Sequence, residues 1–179
     1  MNLREIHVTD AEAYLDLLKD IESESPYSLL KPNERKTTIR EQMEEIEDIL
    51  SRDNQIIFVI EDGPKLVAWL GAFGQSYYRV NHSVIIGIGV RKGYRRQGWG
   101  TLLFTELEKW AWKSRIRRLE LLVQNDNKPA ISLYRKMGFQ IEGTKRDSYQ
   151  IDGRYVDEYL MAKLLIEPEP PKRNPYPKW

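Results

Sequence analysis

The chain contains no cysteine. A disulfide framework, a thiolate zinc site and a cysteine nucleophile are therefore all excluded. No stretch approaches the roughly 20 consecutive apolar residues that a membrane-spanning helix needs. The opening segment Met1–His7 has no apolar signal region, so the expectation is a cytoplasmic chain with no membrane partner. Charge of one sign is also missing: 28 basic and 27 acidic side chains leave a formal net charge of +1. Nothing there predicts a strong pull toward nucleic acid. No internal repeat is present. What remains is a chain of 179 residues, 41% hydrophobic and 31% charged, which suits one sizeable core under a well-solvated surface. Residues 1–166 read as that domain. Residues 167–179 hold five of the nine prolines and read as an extended, weakly ordered tail.

Apolar periodicity places the elements. Leu3–Val8 is an opening strand, and Asp10 is positioned to cap a helix carrying Tyr14, Leu17, Leu18 and Ile21 on one face. Ser25–Asn33 reads as a loop. A second helix is expected from about Glu34 to Leu50, with Ile39, Met43, Ile46 and Leu50 facing the core. Gln55–Glu61 and Lys65–Gly74 form a hairpin around Asp62-Gly63. Ser83–Val90 is a third strand, and Gly87 and Gly89 suggest a bulge in it. A helix runs to about Ser114 with Leu103, Leu107 and Trp110 inward, followed by a strand at Arg118–Val123. Asn127 opens a last helix that ends at Gly138, and Phe139–Thr144 and Arg154–Leu164 close the chain as strands. The order implies one α/β domain of the α+β type, with a mixed, mostly antiparallel sheet flanked by helices.

The most informative segment is Val90-Arg-Lys-Gly-Tyr-Arg95-Arg96-Gln97-Gly98-Trp99-Gly100, where a strand gives way to a helix. The first amides of a helix have no internal acceptor, and the helix dipole adds positive character there. Such a terminus binds a pyrophosphate. Gly98 and Gly100 would let phosphate oxygens approach the backbone, and Arg91, Lys92, Arg95 and Arg96 would add charge. The glycines do not form the Gly-x-Gly-x-x-Gly run of a dinucleotide site, and no Gly-Lys-Ser/Thr follows to make a P-loop. A second segment, Asn127-Lys-Pro-Ala130-Ile-Ser-Leu133-Tyr134-Arg-Lys-Met-Gly138-Phe139, sets Asn127 and Tyr134 two turns apart on nearly one helix face.

Together the two segments resemble the GNAT superfamily of N-acetyltransferases. Arg95, Gly98 and Gly100 match its Arg/Gln-x-x-Gly-x-Gly/Ala signature, and Asn127, Ala130, Leu133, Tyr134, Gly138 and Phe139 match its downstream signature. The resemblance implies a GNAT-like fold in which Ser83–Val90 and Leu119–Val123 are parallel strands that splay into an acetyl-CoA cleft. It implies a pantetheine arm on the backbone of Ile88 and Val90, and a pyrophosphate on the amides of Arg96, Gln97, Gly98, Trp99, Gly100 and Thr101. Arg95 belongs to the same cofactor set. Asn127 is placed against CoA, and Tyr134 near the thioester sulfur as the catalytic acid. Acetyl-CoA is the co-substrate, and no metal is expected.

The resemblance further implies transfer of an acetyl group to a primary amine of a small molecule or a protein N-terminus, with a non-catalytic acyl-CoA-binding module as the alternative. The strand Ser83–Val90 lacks the glutamate that some members use as a base. Glu24 and Asp157 are unranked substitutes, and His82, just before the strand, reads more simply as a surface residue. Tyr27 and Tyr149 are candidate acceptor-lining residues. Arg115, Arg117 and Arg118 form a basic run that could reach the 3′-phosphate of CoA, though a solvated turn explains it more simply. The resemblance also admits a homodimer joined through the closing strands or the C-terminal segments.

Overall fold

The structure is a computed structural model that describes residues 1–166; the proline-rich segment at 167–179 lies outside the described residues. Its elements are β1 (Asn2–Glu5), α1 (Ala11–Glu24), α2 (Ile39–Leu50), β2 (Gln55–Asp62), β3 (Lys65–Gly74), β4 (Ser83–Val90), α3 (Trp99–Lys113), β5 (Arg118–Gln124), α4 (Lys128–Lys136), β6 (Gln140–Ile151) and β7 (Arg154–Leu164). They build one seven-stranded sheet in the order β1-β2-β3-β4-β5-β7-β6. Every neighbouring pair is antiparallel except β4 and β5, which run parallel.

The sheet is buried on both faces across β2 and β3. Ile56, Phe58 and Ile60 join Leu103, Phe104, Leu107 and Ala111 of α3 on one face. Ile57 and Val59 join Tyr14, Leu17 and Leu18 of α1 and Ile46 and Ile49 of α2 on the other. Alternation along the strand thus sends every residue of this run into one core or the other, which is why it reads as continuously apolar.

The second helix starts later than its sequence pattern suggests. Thr38 caps it: its Oγ1 accepts from Glu41 N at 3.2 Å, and Glu41 Oε2 accepts from Thr38 N at 2.7 Å. This reciprocal box fixes the first turn at Ile39, so residues 34–38 stay outside the helix. The inward stripe is Gln42, Ile46 and Ile49, while Ile39, Met43 and Leu50 face solvent. The loop before α2 is tied to α1 through Arg35, whose guanidinium donates to the buried Glu22 carboxylate at 2.8 and 2.5 Å. Asp10 occupies the position before α1, but its side chain makes no helix cap. It accepts instead from His7 N and from the Arg4 guanidinium.

β4 has no bulge. Its register with β3 is unbroken from Val84 opposite Gly74 to Val90 opposite Ala68. Gly87 and Gly89 serve another purpose, since the Trp69 indole lies over both. A Cβ at Gly87 would come 2.8 Å from Trp69 Cη2, and one at Gly89 would come 2.7 Å from both Trp69 Nε1 and Ile21 Cδ1. Tyr14 meets the indole edge-on, with ring centroids 5.7 Å apart. The glycines are therefore the floor of an aromatic contact that seats α1 on the sheet. Gly89→Ala is expected to cost about 1–3 kcal/mol of stability through overpacking against Trp69 and Ile21. Urea denaturation checks this, and an unchanged midpoint would contradict the packing account.

Candidate functional site

The site is built where β4 and β5 part. The two strands pair only at Ser83–Arg118, Val84–Leu119 and Ile85–Glu120. Beyond that point β4 stays with β3 as far as Val90, while β5 stays with β7 as far as Gln124 opposite Glu158. Arg91 N donates to Val67 O at 3.0 Å just past the end of β4. Antiparallel alternation then makes Gly89–Trp69 and Gly87–Gly71 the hydrogen-bonded pairs, and turns the backbone groups of Ile88 and Val90 toward the opening. These are the two positions that the resemblance implied for the pantetheine arm.

The turn after β4 leads into an uncapped helix. Gly98 stands at the N-cap of α3 with φ of 88° and no side chain to satisfy the first amides. The first intrahelical bond is Leu102 N to Gly98 O, so the amides of Trp99, Gly100 and Thr101 have no intrahelical acceptor. Arg96 is also left-handed, with φ of 63°, and a left-handed residue just before a helix start helps form the amide concavity that holds anions. At Gly98 a Cβ would point into open space, so the glycine answers to backbone conformation and leaves room above the amides. Gly100 has a different reason: a Cβ there would come 2.7 Å from Leu133 Cδ2, so it lets α3 approach α4.

The basic residues of this turn divide by role. Arg91 adds no charge to the phosphate side. It is buried, its Nε donates to Leu66 O at 2.8 Å, and its other end pairs with Asp20. Burial lowers its pKa from the ordinary guanidinium value. Arg95 braces the turn from within, donating from Nε to Val90 O at 2.9 Å. Gln97 does the same through Nε2 to Gly93 O at 3.1 Å. Lys92 and Arg96 are exposed. Glu24, at the end of α1, accepts from Lys92 N at 2.5 Å and lies 3.9 Å from Arg95 Nη2.

On the α3–α4 side, Tyr134 is buried against Phe104 and Phe139, with ring centroids 5.7 and 6.2 Å away. Burial pushes its phenol up to about 12, so it is protonated at neutral pH. Asn127 caps α4 through Oδ1, which accepts from Ala130 N at 3.3 Å. The α4 C-terminus closes on Gly138, φ 88°, with Phe139 N bonded to Tyr134 O. Two base candidates are already engaged. Glu24 holds Lys92 N, and Asp157 Oδ1 accepts from Asp147 N at 2.9 Å in the irregular part of β6. Arg118 is paired with Glu120 and Glu142 at the closed end of the strand pair, far along β5 from the α3 terminus.

Two buried polar residues escaped the sequence reading. Gln124 is 4% exposed and Glu158 5% exposed, and they stand directly opposite each other on β5 and β7. Glu158 Oε2 accepts from Ser148 Oγ at 2.5 Å and lies 3.8 Å from Lys145 Nζ. Tyr149 is half-buried nearby, its phenol raised by burial and then by the Glu158 charge. The available signal was phase: Glu158 shares a strand face with Val156, Leu160 and Ala162, where an unpaired carboxylate is out of place. Two substitutions separate the roles of the arginines. Arg91→Met is expected to lower stability by about 1–3 kcal/mol, because it orphans the Leu66 carbonyl. Arg96→Ala is expected to stay within about 0.5 kcal/mol. Thermal or urea melts of both variants check the contrast.

The profile of the acetyltransferase (GNAT) family matches residues 18–139. The crystal structure of a GNAT-family acetyltransferase from Streptococcus pneumoniae superposes with a TM-score of 0.88 and 32% identity, covering 92% of this chain and 99% of that one. The L-amino acid N-acetyltransferase AaaT of Escherichia coli is 38% identical over 94 residues, which is 50% of this chain and 56% of that protein. The chain thus spans about half the length of that curated relative. A Salmonella typhimurium protein, yncA, solved with its cofactor acetyl-CoA, shares the fold at a TM-score of 0.81 and 16% identity, covering 96% and 98% of the two chains. The splayed strand pair, the uncapped helix after it and the family match lead to one conclusion: the chain belongs to the GNAT acetyltransferase family.

Proposed function

We propose that the chain transfers an acetyl group from acetyl-CoA to a primary amine of a small molecule or of a protein N-terminus. One observation carries this reading: the β4 edge that parts from β5 after Ile85 leads straight to the uncapped amides of α3. An extended amide-bearing arm ending in a diphosphate fits such an edge and terminus in sequence. In this reading Ile88 and Val90 bind the arm through backbone groups. The amides of Arg96, Gln97, Gly98, Trp99, Gly100 and Thr101 hold the diphosphate, with Arg96 adding exposed charge. Arg95 keeps the turn in shape, and Asn127 offers its amide nitrogen to CoA while its oxygen caps α4. The Salmonella protein solved with acetyl-CoA shares this fold, and the name of the E. coli relative specifies amino acid acceptors.

The protein's part in the chemistry is positioning and polarisation. Backbone amides near Val90 stabilise the charge that develops on the acetyl oxygen, a contribution of about 3–4 kcal/mol where such donors have been removed elsewhere. Tyr134 supplies a hydrogen bond, and then a proton, to the departing sulfur. A phenol raised to about 12 is a weak acid. Burial of the departing thiolate would raise its basicity in the same direction, since both anions lose hydration. A non-catalytic acyl-CoA-binding module is the rival reading. Its support is that β4 carries no carboxylate and that Glu24 and Asp157 are occupied.

Three measurements test the proposal. Calorimetry should show acetyl-CoA binding to the wild-type chain, and no binding would end it. Gly98→Glu should abolish that binding, because a carboxylate at a left-handed N-cap fills the space over the amides and repels the diphosphate. Tyr134→Phe should leave acetyl-CoA affinity unchanged and lower single-turnover transfer about 10- to 100-fold, at or below the lower part of the range for general acids. An unchanged rate removes Tyr134 from the chemistry, and absence of transfer to every amine tried would favour the rival.

A further inference from the structure

Gln124 is an anomaly in the core. It is 4% exposed, and neither its amide nitrogen nor its amide oxygen has a hydrogen-bond partner among the described residues. A buried carboxamide left so is costly, and a native structure keeps one only where something answers it. Its neighbour across the strands is Glu158, 5% exposed, held by Ser148 through one carboxylate oxygen. The other carboxylate oxygen accepts no hydrogen bond among the described residues. Directly opposed residues on one sheet face have Cβ atoms about 5 Å apart, so the two head groups can act on one ligand.

Their location bears on the cleft. Leu119, Leu121 and Val123 of β5 and Tyr159 and Met161 of β7 pack with α3 and α4. Gln124 and Glu158 are in the other phase, on the face that α1 and α2 cover further along the sheet. The register of Ser83 with Arg118, continued up the diverging strands, sets Gln124 level with Gly89. The unpartnered carboxamide therefore lies across the opening from the backbone of Ile88 and Val90.

Resting on the acetyltransferase reading above, we propose that Gln124 and Glu158 form the acceptor subsite, and that it takes an α-amino group with a carbonyl or carboxylate oxygen on the adjoining carbon. Glu158 receives the ammonium on Oε1, while Ser148 and Lys145 both stand on Oε2 and fix the carboxylate. Gln124 Oε1 accepts from the same nitrogen, and Gln124 Nε2 donates to the neighbouring carbonyl or carboxylate oxygen. A simple alkylamine leaves Nε2 unanswered. Tyr149 walls the subsite from the β6 side. The ammonium gives one proton to Glu158, which passes it to water. The freed nitrogen lone pair forms the bond to the acetyl carbon while the carbon–sulfur bond breaks and its electron pair leaves on sulfur. Tyr134 protonates that sulfur and recovers a proton lost by the nitrogen, so one proton is released per turnover. Free amino acids and peptide N-termini share this chemistry.

The test is a panel of the common L-amino acids, their amides as stand-ins for peptide N-termini, and the matching decarboxylated amines, each assayed with acetyl-CoA for thiol release. The wild-type chain should prefer α-amino carbonyl compounds over the matched amines by about tenfold or more in kcat/KM, the size of one lost hydrogen bond to a buried group. Preference for free acids against amides then tells amino acid from peptide. Gln124→Leu should keep acetyl-CoA affinity and thermal stability while collapsing that preference to near unity. Glu158→Gln should lower transfer to every amine at unchanged acetyl-CoA affinity. A preference that survives Gln124→Leu, equal use of the decarboxylated amines, equal losses on all substrates in Gln124→Leu, or no turnover of any α-amino compound overturns the subsite. Failure of acetyl-CoA to bind the wild-type chain would instead overturn the acetyltransferase reading itself.

Discussion

Everything in this molecule depends on a pair of parallel strands that stop sharing hydrogen bonds after three residues. β4 and β5 are each fully committed elsewhere: β4 to β3 along its whole length, β5 to β7 along its whole length. Their outer partners carry them in diverging directions once the sheet twists. The inner edges beyond Ile85 and Glu120 are then left without each other. Backbone groups so exposed inside a fold cost about 1–3 kcal/mol each unless a partner arrives. The chain tolerates the fault because both flanks are welded into large cores, with Val84 and Ile86 on one side of the gap and Leu119 and Leu121 on the other among the buried residues. Arg95 closes the fault at its upper end by taking the Val90 carbonyl.

The same gap sorts the charges around it. A run of four basic residues in one turn looks like a single phosphate trap, yet the fold spends them differently. Arg91 is drawn into the packing under β3, where the Leu66 carbonyl and Asp20 hold it. Arg95 becomes a brace, and Glu24 reaches from α1 to pin the Lys92 amide. What faces outward is a set of backbone amides with the exposed Lys92 and Arg96 beside them. This arrangement suits a diphosphate better than a cluster of flexible side chains does. Fixed amide dipoles need no reordering when the anion arrives, whereas long basic side chains lose rotamer freedom.

Alternation, strand ends and a glycine before an apolar helix made the strands, the helices and the start of α3 legible; the parting of β4 and β5 was legible only through the resemblance to the GNAT superfamily, and the sheet order, which rests on long-range pairing, was not. The sequence misled where a residue answers to something distant. Gly87 and Gly89 looked like a bulge and are the seat of Trp69, a residue on the adjoining strand. Gly100 looked like a phosphate glycine and is the contact point for Leu133 on another helix. Ile39, Met43 and Leu50 have helical spacing, but the Thr38 box sets the helix at a different start and the inward stripe falls on Gln42, Ile46 and Ile49. The Gln124–Glu158 pair was invisible because its meaning lies in register, with residues 34 positions apart brought opposite each other by two strands.

The proposed acyl transfer would draw on both faces of the sheet. Tyr134 projects from α4 into the core beneath one face, while Gln124 and Glu158 belong to the opposite face. In an intact sheet no small molecule could touch both, since continuous backbone would separate them. Where β4 and β5 part, the backbone wall is absent over several residues, and a thioester placed there is reachable from both sides. In the proposed reaction an amine entering over Glu158 would meet the acetyl carbon from one face, and the sulfur would leave toward the Tyr134 phenol on the other. Bond making and bond breaking would thereby be kept apart in space, with Glu158 beside the incoming nitrogen and the buried Tyr134 phenol beside the departing sulfur. The defect in strand pairing would then let a layered fold act through its own sheet.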